Sequence, residues 1–126
     1  MREEANQWRA QAIHELDAAK KMFEAGVYDV CCFLCHQASE KSLKAVVIEV
    51  KRIPSPHTHE LMALGKQAGA KELVEDLQEL NPHFMTSRYP DAANAIPALA
   101  YSEKIASECL KIAQKVVSWS TKTLKK

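Results

Sequence analysis

The segment from Tyr28 to Val50 is a long, mostly apolar stretch that carries polar residues at its middle. Its apolar residues fall on both sides of a 3.6-residue period, so a helix here is apolar nearly all round. Such a helix lies either at the centre of a helical packing or across a membrane. A membrane span needs ~20 residues with few charges. The stretch is interrupted by Asp29, Glu40, Lys41, Lys44 and Glu49. It is therefore predicted to be the central helix of a soluble bundle.

Composition indicates an all-α protein of one domain. The chain has 126 residues and only three glycines, and a chain of this length buries roughly two thirds of the surface that its unfolded form exposes. It therefore needs no metal or disulfide to fold, and we expect no cofactor and no metal site. The formal net charge of +1 gives no large positive electrostatic potential that would attract a nucleic-acid backbone. We predict a single helical domain over residues 1–126.

The N-terminus and the cysteines indicate a cytoplasmic protein. The sequence MREEANQWRAQ is charged from its second residue and lacks the apolar core of a signal peptide. In the cytoplasm the cysteines are expected to be reduced thiols that pack as small hydrophobes. Cys32 to His36 also matches the c-type haem attachment pattern and contains a CxxC redox spacing. Haem attachment requires export or dedicated assembly, and the N-terminus does not have the pattern of a signal sequence. A redox CxxC usually opens a helix, whereas this one lies inside an apolar helix.

The N-terminal half is predicted to form a hairpin of two helices, each ended by glycine or proline. Apolar residues at three- and four-residue steps predict a first helix from about Arg2 to Ala25, and Gly26 ends it. The second helix follows a very short connection, which makes the two antiparallel. Pro54 and Pro56 then impose an extended loop.

The C-terminal half is predicted to contain three more helices and one irregular segment. Thr58 is expected to cap a short helix that ends at Gly69, and a fourth helix covers about Lys71 to Leu80. The prolines between Pro82 and Ala100, without a sustained period, predict a long irregular segment of the kind that is often functional. A last helix, capped by Ser102, runs to about Thr123.

Three stretches together resemble the HEPN domain, the nucleotide-binding helical module of higher eukaryotes and prokaryotes. They are ELDAAKKMFEAGVYDVCCFLCHQASEKSLKA (Glu15 to Ala45), PHTHEL (Pro56 to Leu61) and SRYPD (Ser87 to Asp91). The resemblance covers nearly the whole chain. It implies an up-and-down bundle of four to five helices, commonly dimeric, with helix two and the last helix at its centre. It also implies binding of a nucleotide or nucleic acid. Members are often encoded beside a minimal nucleotidyltransferase, and some are toxins of toxin–antitoxin pairs.

Some members of that family are metal-independent RNases. Arg88 therefore bears on whether this chain is an enzyme. Those RNases use an arginine followed, after four to six residues, by a histidine near the start of the last helix. Arg88 matches the arginine, but residues 89–98 contain no histidine, and Asn94 is the polar residue at the position expected for it. An amide cannot exchange a proton near pH 7 as imidazole can. Whether the chain is an enzyme is therefore left open.

Two histidines beside the second helix offer an alternative. Arg52 and His57 have four residues between them, a spacing that we interpret as coincidence because both precede the expected position. His59 lies at a helix start, where N–H groups bind anions and where capping is the structural alternative. A degenerate RNase could combine Arg88 with a histidine from this loop across a dimer.

The polar residues of helix two have a structural and a functional interpretation. Gln37, Lys41 and Lys44 share one face, and Glu40 has the favourable spacing to pair with Lys44. A buried ammonium needs a partner, and the candidates for Lys41 are Asp91 and Glu40. In the functional alternative, Lys41, Lys44 and Arg88 receive phosphates in a cleft.

The sequence Arg88-Tyr89-Pro90-Asp91 combines an anion-binding fork, an aromatic ring that can stack on a base, and a rigid turn. Its structural alternative is a local lock in which Asp91 pairs with Arg88 and Tyr89 packs on the bundle. The candidate binding residues are Gln37, Lys41, Lys44, His59, Arg88, Tyr89 and Asp91. We predict a homodimer that acts as a nucleotide-binding and pairing module. Its predicted partners are a nucleotidyltransferase-type protein and a nucleotide or RNA. No membrane contact is expected.

Overall fold

The protein begins with the predicted hairpin of two long antiparallel helices. The structure, a computed structural model, describes residues 1–125, so Lys126 of the predicted domain lies outside the described residues. Helix α1 covers Glu3–Glu24 and helix α2 covers Tyr28–Lys51. Gly26, with φ of 78°, takes the left-handed conformation that ends α1, as its sequence position predicts.

Helix α2 is the central element of the bundle. Every residue from Ser42 to Ile48 is buried, and because this stretch covers about two turns, the helix is enclosed on all sides. It packs against α1, against the last helix and against a short helix, α3, at Leu61–Ala68. Within the described chain, no helix is both long enough and apolar enough to cross a bilayer.

Helix α3 begins at a cap that differs from the predicted one. Glu60, rather than Thr58, accepts from the backbone N–H groups of Met62 and Ala63, both at 2.9 Å. Thr58 instead accepts from the N–H of Glu60 at 3.1 Å. The cap prediction was wrong because the longer Glu60 side chain folds back over the first turn and satisfies two donors at once. Gly69 ends α3 in the left-handed conformation, as predicted.

The predicted fourth helix is split into a 3-10 turn and an α-helix. The turn covers Lys71–Leu73, and helix α4 covers Val74–Leu80. Helices α3 and α4 pack closely, since a Cβ added at Gly65 would lie 2.5 Å from Leu77 Cδ1. A side chain at Gly65 would therefore force Leu77 to move.

The segment between α4 and the last helix is helical in short pieces, so the prediction of an irregular segment was wrong. Helix α5 covers His83–Thr86, α6 covers Pro90–Ala93 and α7 covers Pro97–Ala100. Proline stands at the first position of both α6 and α7, where its missing N–H would be unpaired in any case. These prolines begin new helical turns instead of interrupting the helical structure.

The last helix, α8, covers Glu103–Leu124 and closes the bundle. Its first turn is capped by the Ser102 hydroxyl, which accepts from the N–H of Ile105 at 3.3 Å, as predicted. Its apolar face joins the core formed with α2, α3 and α4. All four cysteines are buried free thiols, as predicted. The prediction of an all-α bundle is confirmed.

Candidate functional site

The ammonium of Lys41 lies between α1 and α2 and is paired across the hairpin. Lys41 Nζ donates to both carboxylate oxygens of Glu15, at 2.8 and 2.9 Å, and to Gln37 Oε1 at 3.2 Å. The predicted partners Glu40 and Asp91 were wrong, because the antiparallel hairpin brings Glu15 alongside Lys41. Gln37 and Lys41 thus form one structural cluster, beside a small recess of about 270 Å³.

Glu40 is an almost fully buried carboxylate with a partner on each oxygen. Its side chain is 3% exposed. Oε2 accepts from Lys44 Nζ at 3.0 Å, and Oε1 lies 2.9 Å from His59 Nδ1. An ionised carboxylate can only accept, so Nδ1 carries the proton in this contact. The predicted pair of Glu40 and Lys44 is confirmed, and the Lys44 ammonium also lies 5.3 Å from the centroid of the Trp8 ring.

His59 connects this buried pair to the surface. Its side chain is 58% exposed, and its ring stacks on Phe84 with the centroids 4.5 Å apart and the planes 17° from parallel. Among the described residues, Nε2 has no hydrogen-bond partner. The histidine is therefore anchored at one ring nitrogen and presents a lone pair to solvent at the other.

The guanidinium of Arg88 also contacts the Phe84 ring. Its guanidinium carbon is 4.3 Å from the ring centroid of Phe84, 4.5 Å from that of Phe33 and 4.9 Å from that of Tyr89. Nε donates to the backbone carbonyl of Phe84 at 2.7 Å. Within residues 1–125, no carboxylate pairs with this guanidinium. Aromatic rings hold Arg88 in place without neutralising its charge.

Asp91 takes no part in holding Arg88. Its Oδ1 accepts from the N–H of Ala92 at 3.0 Å, in the first turn of α6. The local lock in which Asp91 pairs with Arg88 was therefore wrong. Tyr89 packs partly under the guanidinium and stays 43% exposed, so its ring is accessible.

Two recesses flank the contact between Phe84 and Arg88. The larger, of about 600 Å³, is lined by Thr58, His59, Glu60, Asn81, Pro82, Phe84, Met85 and Thr86. The smaller, of about 430 Å³, is lined by Asp29, Val30, Phe33, Ser87, Arg88, Ile96, Pro97 and Ala98. We call His59, Phe84, Arg88 and Tyr89 the ring–arginine surface. The structure thus brings His59, Arg88 and Tyr89 together, with Lys44 behind them through Glu40, and leaves Lys41 and Gln37 in the α1–α2 cluster.

Asn94 occupies the position expected for the histidine, and its backbone conformation explains why an asparagine is found there. It follows α6 with φ of 52°, in the left-handed region. Asparagine is among the few residues other than glycine that adopt this conformation readily. The position serves the turn between α6 and α7.

His36 is a buried imidazole beneath the ring–arginine surface. It has no exposed area, its Nε2 has no hydrogen-bond partner among the described residues, and its ring lies 5.1 Å from Phe84. Burial lowers the pKa of His36 from 6.5 to about 4, against the opposing effect of the Glu40 carboxylate. The neighbouring imidazoles of His59 and His83 lower this pKa further.

Acidification is expected to destabilise the fold through His36. The unfolded chain binds the proton below pH 6.5, whereas the folded chain binds it only below about pH 4. The contribution of neutral His36 to the free energy of unfolding is therefore fully present above pH 6.5. The free energy of unfolding falls by about 3 kcal/mol as the pH drops to 4. Urea unfolding across this range measures the loss. His36→Phe, which keeps an aromatic ring against Phe84, should show a smaller loss, and an identical loss in both proteins would contradict this assignment.

Sequence reasoning missed the residues that connect the site. Glu15, Phe33, His36 and Phe84 were not predicted as site residues, and Glu40 was predicted only as an ion-pair partner of Lys44 or Lys41. The PHTHEL and SRYPD stretches pointed to His59 and Arg88, but nothing local showed that Phe84 joins them. Within the described chain, no group of three or more His, Cys, Asp or Glu side chains is arranged to hold a metal ion.

Comparison with known proteins gives a family and two similar structures. The family model of the HEPN domain matches residues 5–124. The crystal structure of TT1696 from Thermus thermophilus is similar over 97% of this chain and 99% of that one, with 30% identity and a TM-score of 0.84. The structure of ST0689, an archaeal HEPN homologue, is similar over 96% and 97%, with 27% identity and a TM-score of 0.79. No curated protein matches the chain.

Proposed function

Because the chain belongs to the HEPN domain family, we propose that it is a nucleotide-binding module, that it works as a homodimer, and that the nucleotide lies on the ring–arginine surface. One observation carries this proposal. Among the described residues, Arg88 has no carboxylate partner, yet it is held among three aromatic rings, where it lines one recess and contacts Phe84, which lines the other.

Arg88 is suited to a phosphate group. Its Nε donates to the carbonyl of Phe84, which fixes the plane of the guanidinium. One terminal nitrogen makes only a long contact, of 4.0 Å, with the sulfur of Met85, so the terminal N–H groups can still bind a ligand. A guanidinium binds phosphate through parallel N–H donors, and such charge-assisted hydrogen bonds are stronger than neutral ones. With a net charge of only +1, the chain must bind through local contacts of this kind.

The rings of the surface are suited to a base. Tyr89 is 43% exposed and can stack on a base, whereas the Phe84 ring is already in contact with His59 and Arg88. The recess of about 600 Å³ beside Phe84 falls in the size range of small-molecule sites. Stacking of a base on an aromatic side chain contributes about 1–3 kcal/mol and tolerates every base. We infer that the surface recognises a nucleotide by one phosphate contact and one stacking contact.

Replacement of Arg88 tests this proposal. Arg88→Gln is expected to weaken nucleotide binding about 10-fold or more, because it removes a charge-assisted hydrogen bond. The melting temperature should fall by no more than about 4 °C, because the exposed side chain has no carboxylate partner and loses one hydrogen bond to the backbone and its ring contacts. Titration of the full chain with mono- and triphosphate nucleotides by calorimetry, with a thermal melt of each variant, gives both quantities.

Lys104→Gln is the matched control for that titration. Lys104 is an exposed residue in the first turn of α8, and the substitution removes the same charge. It should leave the affinity unchanged. Equal affinity in Arg88→Gln and the wild type, or a melting temperature several degrees lower with binding intact, would show that Arg88 is structural.

An exposed apolar face beside Arg88 supports the homodimer. Ile96 is 59% exposed and Leu99 is 80% exposed, and both lie on the segment that holds α7. Val30, 39% exposed, lines the same recess as Arg88 and Ile96. Apolar side chains exposed next to a functional group are typical of interfaces. We propose that a second copy covers this face about a two-fold axis.

The other predicted residues and partners remain proposals. For Gln37, Lys41 and Lys44 we propose a supporting role, since their polar groups are used in pairs with Glu15 and Glu40. Pairing with a nucleotidyltransferase-type protein in a toxin–antitoxin system remains a prediction from the family resemblance.

A further inference from the structure

A further recess, of about 450 Å³, lies where α3 meets the 3-10 turn and α4. It shares no lining residue with the ring–arginine surface or with the two recesses beside that surface. Gly69, which lines it, has no side chain, and a Cβ added there would meet no atom within 4 Å. Ala63 and Ala70, two further lining residues, are also small. Small residues on α3 and in the connection to α4 thus leave this space unfilled.

The walls of the recess are almost wholly apolar. Met62, Ala63, Ala70 and Val74 contribute aliphatic side chains. In the part of the chain that the structure describes, no aromatic ring lines the recess. A ligand would therefore gain affinity by burying aliphatic surface, whereas a planar base would find no ring on which to stack.

The charged groups that line the recess are cations. They are the exposed side chains of Lys66 and Lys71, and no carboxylate from the described residues joins them. Within residues 1–125, neither lysine forms an ion pair. Lys71 also lines a neighbouring polar recess that contains acidic side chains, whereas Lys66 lines the apolar recess alone. The charge that complements the apolar recess is therefore negative.

The shape of the recess favours a small molecule over a protein partner. Its volume of about 450 Å³ falls in the size range of small-molecule sites. Of the described residues that line it, Val74 alone is a large apolar residue with a broadly exposed side chain, at 44%. A protein interface needs a contiguous exposed apolar patch. Here the apolar surface is concentrated inside a concave site, which suits one aliphatic chain.

We propose that this recess binds the anion of a straight-chain aliphatic carboxylic acid. The chain lies against Met62, Ala63 and Val74, and the ammonium of Lys66 binds the carboxylate, with Lys71 beside it. The flexible side chain of Met62 can adapt to an unbranched chain. This site is separate from the proposed nucleotide site and does not depend on it.

Titration of the isotope-labelled full chain with octanoate, followed in amide NMR spectra, tests the inference. All concentrations stay below those at which octanoate forms micelles. The amide signals of Gly65 and Gly69, which line the recess, should shift, and that of Gly26, which does not line it, should stay in place. From hexanoate to octanoate, the affinity should rise about 4-fold for each added methylene group, a factor that corresponds to about 0.8 kcal/mol.

The contribution of the lysines is measured with ligands of equal chain length. Octan-1-ol and octylammonium should bind more weakly than octanoate, and octylammonium most weakly. Lys66→Gln/Lys71→Gln should weaken octanoate binding about 10-fold, because exposed ion pairs contribute modestly, and should leave octan-1-ol binding unchanged. The matched control is Lys104→Gln/Lys111→Gln, which removes two exposed charges from α8 and should bind octanoate as the wild type does.

Filling the recess tests the position of the chain. Ala63→Leu places a larger side chain in the recess, so it should abolish the binding of both octanoate and octan-1-ol. Gln67→Leu adds an apolar side chain at an exposed position of α3 outside the recess and should bind as the wild type does. A thermal melt of each variant confirms that it is folded.

The inference fails if octanoate leaves the signals of Gly65 and Gly69 unchanged, or shifts that of Gly26 equally, because binding is then absent or unspecific. Octylammonium bound as tightly as octanoate would also overturn it, since the lysines would then have no part in recognition. A folded Ala63→Leu variant with wild-type affinity for octanoate would do the same. These results leave the proposed nucleotide binding untouched, because its contacts involve other residues.

Discussion

Lys44→Met is expected to lower the free energy of unfolding by about 3 kcal/mol, although it replaces a charge by an apolar side chain of similar length. The Lys44 side chain is 5% exposed and Glu40 is 3% exposed. Removing one member of a buried pair leaves the other charge without compensation, which destabilises proteins by about 3–5 kcal/mol. The contact from His59 to the other oxygen of Glu40 offsets a part of this loss, so we expect the lower end of the range. Urea unfolding monitored by circular dichroism measures it.

The double variant Glu40→Gln/Lys44→Met identifies the cause of that loss. Without either charge, most of the lost stability should return, because no ion is then buried alone. Lys41→Met is a comparison from the same helix, in a pair whose side chains are 19% and 14% exposed, and it should lose less. A double variant as unstable as Lys44→Met would mean that packing, and not the charge of Glu40, dominates at this position.

Leu99→Glu is expected to convert the proposed homodimer into a monomer. In a two-fold interface each substitution occurs twice, so the loss is doubled. Burying one leucine side chain contributes about 1.5–3 kcal/mol. Losing two of them raises the dimer dissociation constant about 1000-fold, with further weakening from the added charges. Sedimentation velocity at micromolar concentration distinguishes the two states.

The folded monomer should be unaffected by this change, because Leu99 is 80% exposed. The control is Val50→Glu, which places the same charge on an apolar residue, 59% exposed, in the last turn of α2. This variant should remain a dimer. A wild-type protein that sediments as a monomer at micromolar concentration would remove the proposed dimer, and a dimeric Leu99→Glu would place its interface elsewhere.

Sequence alone predicts the long helices because their signals are local. The apolar circumference of α2, the stop at Gly26 and the cap at Ser102 each depend on residues within a turn or two, and the structure confirms them. The prolines of residues 82–100 were misread for a related reason. A proline is equally compatible with the end of one helix and the first position of the next. Which of the two it is depends on how the following turn packs.

The site was less predictable because its contacts join distant parts of the chain. The partner of Lys41 depends on the rotation of α1 against α2, which the apolar pattern sets only to within a turn. The junction at Phe84 depends on how α5 meets α2 and the connection before α3. His59 and Arg88 could be predicted as chemically suited residues from their side chains. Their meeting on one ring is a tertiary property.

The ring–arginine surface joins segments of very different resistance to local opening. The backbone of α2 that carries Glu40 is enclosed on all sides, so its amide hydrogens exchange with solvent only when the whole bundle unfolds. Arg88 and Tyr89 lie between single-turn helices, whose few hydrogen bonds break at low free energy. His59, through its contact with Glu40, is thus fixed to the part of the protein in which the slowest exchange is expected. The arginine belongs to a part that can readjust around a ligand without disturbing the core.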